Sequence, residues 1–209
     1  ASRVFYNSIA WELSLVYFKV FTGPMFGGKT TSLLSAIERD VIRGLNVLSF
    51  KPKIDSRYNK SKITTHLGAA VDAEVVQSGV DILSIVKDSK EKVDSVAIDE
   101  LFMIPMAGAV ALKLFREGIN VYVSSLQLSS NPEPEAFEEM ATILPWATEV
   151  NICPAICVTC GDDAYYTYKK GGDLKAAVEV GGAELYEPRC FEHFFVKYQF
   201  CTFAKGLNK

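Results

Sequence analysis

The chain has no excess of basic residues. Its 209 residues include 22 Lys and Arg against 25 Asp and Glu, a net charge of −3, so it lacks the electrostatic footprint that tight phosphate-backbone binding needs. Nucleic acid is not an expected partner. Long apolar runs are missing too. No stretch reaches the roughly 18 uninterrupted apolar residues that cross a bilayer, so no membrane partner is expected either. A signal peptide is not expected, because Trp11 to Phe21 would be lost with it and that segment ends in a strand feeding the candidate site. There is no internal repeat and no low-complexity tract. With 49% apolar and 22% charged residues, disorder, collagen and coiled coil are poor readings. The length suits one ordinary domain with a small appendage, and the expected location is cytoplasmic. The five cysteines agree with this, since in a reducing compartment a Cys-x-x-Cys spacing more often means metal or redox chemistry than a disulfide.

Strands and helices alternate through the first three quarters of the chain. Val16, Tyr17, Phe18, Val20 and Phe21 form a β-favouring run that stops at Gly23-Pro24. From Thr30 to Arg43, Leu33, Leu34, Ile37 and Val41 recur at helical spacing, and Gly44 is placed to stop the helix. The pattern continues with a strand over Asn46–Phe50, a helix over Asp81–Lys87 capped by Asp81, and a short buried strand over Ser95–Ile98. A helix over Met106–Arg116 and a strand over Ile119–Val123 complete it. Strands separated by such helices predict an α/β fold, a parallel sheet with helices on both faces, with ligands at the carboxyl ends of the strands. Past Trp146 the texture changes to glycine pairs, tyrosines and metal-capable side chains. The expected organisation is a nucleotide-binding domain over 1–152, a small module over 153–193, and a C-terminal tail over 194–209 that is solvated or packed on a partner.

Gly23-Pro24-Met25-Phe26-Gly27-Gly28-Lys29-Thr30 fits the phosphate-loop pattern of glycine, any four residues, then Gly-Lys-Ser/Thr. Glycines let the backbone turn its N–H groups toward phosphate oxygens, and the following helix aims its positive end at the same place. Lys29 then reaches the β and γ phosphates, and the Thr30 hydroxyl can ligate Mg2+. A random chain of this composition matches roughly one time in a hundred, and the position between strand and helix lengthens those odds. The fold expected is therefore of the P-loop NTPase type.

Val96-Ala97-Ile98 runs into Asp99-Glu100. Asp99 suits a metal-holding role, direct or through water, and Glu100 suits orienting an attacking hydroxyl and accepting its proton. The pair alone is weak evidence, because Asp-Glu often marks a solvated strand end. Beside the glycine loop it becomes the second half of a site. Asp55 and Arg57, in Lys51-Pro52-Lys53-Ile54-Asp55-Ser56-Arg57-Tyr58, follow the second strand and can face the phosphates. His66 is open between a loop histidine and a functional one.

Cys157-x-x-Cys160 and Cys190-x-x-His193 are two ligand pairs separated by 29 residues, a fit to structural Zn2+ at the ends of a β-ribbon. A glycine-rich segment with few apolar residues gains its stability from such an ion. A redox role for the first pair fits less well, because that chemistry belongs near a helix start in a βαβ unit. Cys153 and Cys201 fall outside the pattern and read as buried or idle thiols.

From Val16 to His193 the chain resembles the thymidine kinase family of cytosolic enzymes, large DNA viruses and phages. The likeness rests on Gly-Pro-Met-Phe-Gly-Gly-Lys-Thr, the Lys-Pro-x-Ile-Asp-x-Arg-Tyr stretch, Ile-Asp-Glu, the Cys-x-x-Cys pair, and Val178-Glu179-Val180-Gly181-Gly182-Ala183-Glu184-Leu185-Tyr186 before Cys190. It implies a P-loop kinase with a zinc-bearing lasso domain, usually a homotetramer, inhibited by dTTP, that passes the γ-phosphoryl of ATP to the 5′-hydroxyl of thymidine. It implies Glu100 as general base, and Lys29, Thr30 and Asp99 as handlers of ATP and Mg2+, with Asp55 and Arg57 bordering the phosphates. Met25 would line the base pocket, and the segment from Val178 to Tyr186 would close over the nucleoside. The chain departs from the family at Phe102 and Met103 after the acidic pair, and at Ser130, where an aromatic normally packs on the base; His193 replaces a fourth cysteine. Two other readings stay open at this level, a zinc-containing ATPase acting on DNA and a nucleotide-binding paralogue without turnover.

Overall fold

The computed structural model describes residues 15–54, 61–65, 68–173, 176 and 178–195. The main body runs β1 (Phe18–Thr22), α1 (Lys29–Ile42), β2 (Val47–Pro52), β3 (Lys62–Thr64), β4 (Ala70–Asp72), β5 (Glu74–Val76), α2 (Gly79–Asp88), β6 (Ser95–Ile98), α3 (Ala107–Arg116), β7 (Asn120–Ser125), α4 (Glu138–Ile143) and β8 (Glu149–Ile152). The small module adds β9 (Ala155–Ile156), β10 (Asp163–Ala164), β11 (Tyr166–Lys169) and β12 (Tyr186–Arg189), then a helical turn over 191–195.

Six strands form one sheet in the order β5-β2-β6-β7-β1-β8, and every pairing in it is parallel. The alternation of side chains across the pleat decides which helix covers which face. Phe18, Val20, Val96, Ile98, Val121 and Val123 point to one side, where Ile82 of α2, Val110 and Leu114 of α3, and Met140 and Ile143 of α4 pack on them. Phe21, Ala97 and Tyr122 point to the other, against Leu33, Leu34 and Ile37 of α1. Both faces are thus covered, which is why β6 and most of β7 are buried along their length.

The expected parallel sheet with helices on both faces is the observed one. One cap differs from expectation. Ser78, not Asp81, is the N-cap of α2, and Asp81 sits three residues on, its carboxylate accepting from the Ser78 N–H at 3.1 Å as the second half of a capping box. The module also packs past His193. Phe194 is fully buried, with its ring stacked 5.1 Å from Tyr166.

Candidate active site

The carboxyl ends of β1, β6 and β7 come together at one edge of the sheet. The turn after β1 is held in shape by its glycines. Gly23 has φ of +135°, and a Cβ there or at Gly27 would stand 2.3 or 2.2 Å from the Cys153 carbonyl oxygen. Cys153, expected from sequence as a buried or idle thiol, is half-buried and supplies through its backbone the wall on which the loop rests. Gly28, with φ of +78°, has no neighbour within 4 Å of the place a methyl group would take and faces open space at the start of α1. Such an open hollow at a helix N-terminus suits phosphate. Lys29 is mostly buried and donates from Nζ to the Pro24 carbonyl at 2.7 Å, which holds its ammonium across the mouth of the loop.

Asp99 lies beside this hollow, buried at the end of β6. Thr30 donates its hydroxyl to Asp99 Oδ1 at 3.3 Å, and the Ser124 hydroxyl donates to the same oxygen. A hydroxyl and a carboxylate within reach of one cation form a hard oxygen donor set suited to Mg2+. Glu100 has φ of +49° and ψ of +47°, the left-handed region that a non-glycine residue enters at a cost of about 1 kcal/mol. That reversal sends two adjacent carboxylates to different places. Asp99 faces the glycine loop, and Glu100 faces a separate pocket.

This pocket is lined by Met25, Glu100, Phe102, Met103, Leu126, Ser130, Phe137, Thr167, Val178, Glu179, Gly181 and Tyr186. Six of the site residues expected from sequence meet here, Met25, Glu100, Val178, Glu179, Gly181 and Tyr186, together with Phe102, Met103 and Ser130, where the chain departs from the family pattern. Val180 and Gly182 lie in the same segment, half-buried, without lining the pocket. Asp55, Arg57 and His66 fall outside the described residues.

Phe137 and Thr167 were not singled out from sequence. Phe137 is the N-cap of α4, and Glu139 in the first turn fixes that helix to α3 by accepting from the N–H groups of Met106 and Gly108 at 2.6 and 2.5 Å. The Phe137 ring lies 4.6 Å from that of Phe102, and both line the pocket with Tyr186 although Ser130 offers no ring. An isolated aromatic after the Pro132–Ala136 loop was the available signal. Thr167 on β11 accepts from the Met25 N–H at 3.0 Å, and Phe26 packs on Ala155, Cys157 and Ala164. The small module is thereby joined to the glycine loop.

Within the module, Cys157, Cys160, Cys190 and His193 present ligand atoms all within 4.8 Å of one another. The Cys160–Cys190 sulfur separation is 3.8 Å, and Cys157 Sγ lies 3.7 Å from His193 Nδ1. A tetrahedron with Zn–S of about 2.3 Å has edges of about 3.8 Å, so the set fits zinc with little movement. Burial opposes ionisation of Cys157, yet donors from the Cys190, Thr159 and Cys160 backbones bring its thiol down to about 6. Cys160, although the Asp162 N–H favours its thiolate, is raised to about 12 by desolvation and by its bond with Cys157. A bound dication would hold both sulfurs as thiolates and release their protons. Among the described residues no helix is long and apolar enough to cross a membrane.

Residues 16–194 match the family profile described as thymidine kinase. A thymidine kinase of Pyrobaculum aerophilum is 36% identical over 182 residues, 85% of this chain and 97% of that protein. One of Thermococcus kodakarensis is 33% identical over 188 residues, 86% of this chain and 94% of that protein. Matched over most of its length by the family profile and by relatives of this kind, this chain belongs to the thymidine kinase family.

Proposed function

We propose that this protein transfers the γ-phosphoryl of ATP to the 5′-hydroxyl of thymidine, giving dTMP. The observation that carries the reading is the divergence of Asp99 and Glu100, one carboxylate beside the phosphate loop and the next in the wall of a partly aromatic pocket. Lys29 and the N–H groups from Gly23 to Thr30 would hold the triphosphate, with Thr30 and Asp99 holding Mg2+, and Asp55 and Arg57 bordering the phosphates. When bound, Mg2+-ATP supplies the transferable group and the charge neutralisation that lets an alcohol approach it.

Glu100 then orients the nucleoside hydroxyl and takes up its proton. Phe102 and Phe137 give a planar base a face to pack on, which offsets the serine at position 130. Met25 lines the same pocket, while Val178, Glu179, Gly181 and Tyr186, with Val180 and Gly182 behind them, cover the nucleoside and exclude water. Cys157, Cys160, Cys190 and His193 would hold structural Zn2+, and the module so stabilised keeps Thr167 on the Met25 amide. A dTTP molecule combines the base of one pocket with the triphosphate of the other, which supports it as an inhibitor. Edge strand β8 exposes Val150 and Ile152, which supports assembly, with a homotetramer as the proposed form.

The test is a panel of deoxynucleosides incubated with Mg2+ and γ-labelled ATP. Thymidine is expected to yield labelled monophosphate. A protein that binds ATP and labels no nucleoside would overturn the proposal, and ATP hydrolysis stimulated by DNA would point to a DNA-acting ATPase instead.

A further inference from the structure

Lys169, at the end of β11, is 1% exposed and is one of the largest fully buried side chains among the described residues. Burying an ammonium is unfavourable unless it is paired and hydrogen-bonded. Of its two partners, Glu179 belongs to the segment that covers the pocket and Asp173 precedes it. Nζ lies 2.6 Å from Glu179 Oε2 and donates to the Asp173 carbonyl oxygen. The Glu179 carboxylate also accepts from the Asp173 N–H at 3.2 Å. Gly172 leaves room for it, since a Cβ there would lie 2.6 Å from the same carboxylate oxygen.

Glu179 works in two directions. Its partly exposed side chain pairs with Lys169, and its carbonyl accepts from the Tyr186 phenol at 2.6 Å. Tyr186 in turn lines the pocket, as does Ser130, so the phenol that Glu179 holds is part of the pocket wall. Strand alternation puts Lys169 on the same face of β11 as Thr167, which holds the Met25 amide. One short strand therefore grips the phosphate loop with one residue and the nucleoside cover with the next residue on that face.

We propose that Lys169 is a positioning residue: through Glu179 it latches the 178–182 segment over the nucleoside pocket and so keeps water from the transferable phosphoryl group. This deepens, and rests on, the kinase reading above. The ion pair also holds the Glu179 carboxyl below the usual carboxylate range, chiefly through its bond to Lys169, so the latch stays charged at neutral pH.

The test compares the full-length protein with Lys169→Met, Lys169→Arg and Glu179→Gln, each checked for metal content and thermal melting. Lys169→Met and Glu179→Gln are expected to raise the KM for thymidine about tenfold or more. They should also raise the ATP hydrolysed per dTMP formed and leave the KM for ATP near wild type. Lys169→Arg, which keeps the charge, is expected to restore most of the coupling. Limited proteolysis without substrate gives a readout independent of turnover, with faster cleavage between residues 170 and 185 in Lys169→Met and Glu179→Gln than in the wild type. Wild-type coupling and wild-type cleavage in both variants would overturn the latch, as would a fall in ATP affinity equal to that for thymidine. If Lys169→Met does not fold, Glu179→Gln, at a partly exposed position, decides alone. Failure of the wild type to label any nucleoside counts against the kinase reading, and the cleavage pattern still decides the latch.

Discussion

The Thr30 hydroxyl donates to Asp99 across 3.3 Å, tying the first turn of α1 to the end of β6. Neither residue has the other as a sequence neighbour, and β7 lies between their strands in the sheet. The contact brings a hydroxyl and a carboxylate to one point beside the phosphate hollow. Asp99→Asn keeps the shape and removes the charge. It is expected to lower turnover by about tenfold to a hundredfold, as disturbing a metal's supporting groups does. The Mg2+ concentration for half-maximal rate should rise, which a titration of rate against Mg2+ checks.

The glycines of the loop are not equivalent. Alanine at position 23 or 27 would drive a methyl group into the Cys153 carbonyl, an overpacking that costs about 1–3 kcal/mol. At this chain length that is a loss of roughly 3–10 °C in Tm. Gly28→Ala meets no neighbour and should cost only about 1 kcal/mol of left-handed strain, while obstructing phosphate. Thermal melts with and without ATP separate the two effects: a melting loss for positions 23 and 27, and a loss of ATP-induced stabilisation for position 28.

Removal of zinc should reach the phosphate loop through Phe26 and Thr167. One equivalent of zinc per chain is expected by metal analysis. Cys190→Ser should lower both zinc content and ATP affinity, whereas a loop independent of the module would keep its affinity after the metal is gone.

Alkaline stability should depend on one tyrosine. Burial, then hydrogen bonding to Asp40, pushes the Tyr122 phenol well above its ordinary value. Tyr122 donates to Asp40 at 2.8 Å, and Ser95 donates to the same oxygen at 2.6 Å. A raised folded-state value means the contribution is complete below the unfolded pKa of about 10 and is lost as pH rises above it. Tyr122→Phe should therefore be less stable than the wild type at neutral pH, and the gap should narrow above about pH 10. Denaturant melts across pH 8 to 11 test this; a constant gap would contradict it.

The legible parts of this fold were those where one physical signal dominated. Ser95–Ile98 is buried at every position and reads as a continuous apolar run, and α1 announces itself by its apolar spacing and the glycine behind it. Strands β3, β4 and β5 have three residues each, and β4 and β5 are largely exposed, so no alternation long enough to detect exists. Edge strand β8 exposes three of its four residues and looks polar and irregular. The first turn of α2 carries both Ser78 and Asp81, and sequence alone favoured the wrong one as cap. At the site, motif residues were legible because their spacing is local. Phe137, Thr167 and the Lys169–Glu179 pair were not, because each reaches the pocket through tertiary contacts that no local pattern encodes.

The proposed role of Glu100 is to steer a nucleoside hydroxyl onto phosphate held by the neighbouring loop. It is tested most directly by following γ-labelled phosphoryl from ATP to thymidine in the wild type and in Glu100→Gln. The wild type is expected to give 5′-labelled dTMP. The variant is expected to react slower by about a hundredfold or more with ATP binding intact. Wild-type turnover in Glu100→Gln, or label released by the wild type only as inorganic phosphate, would contradict it.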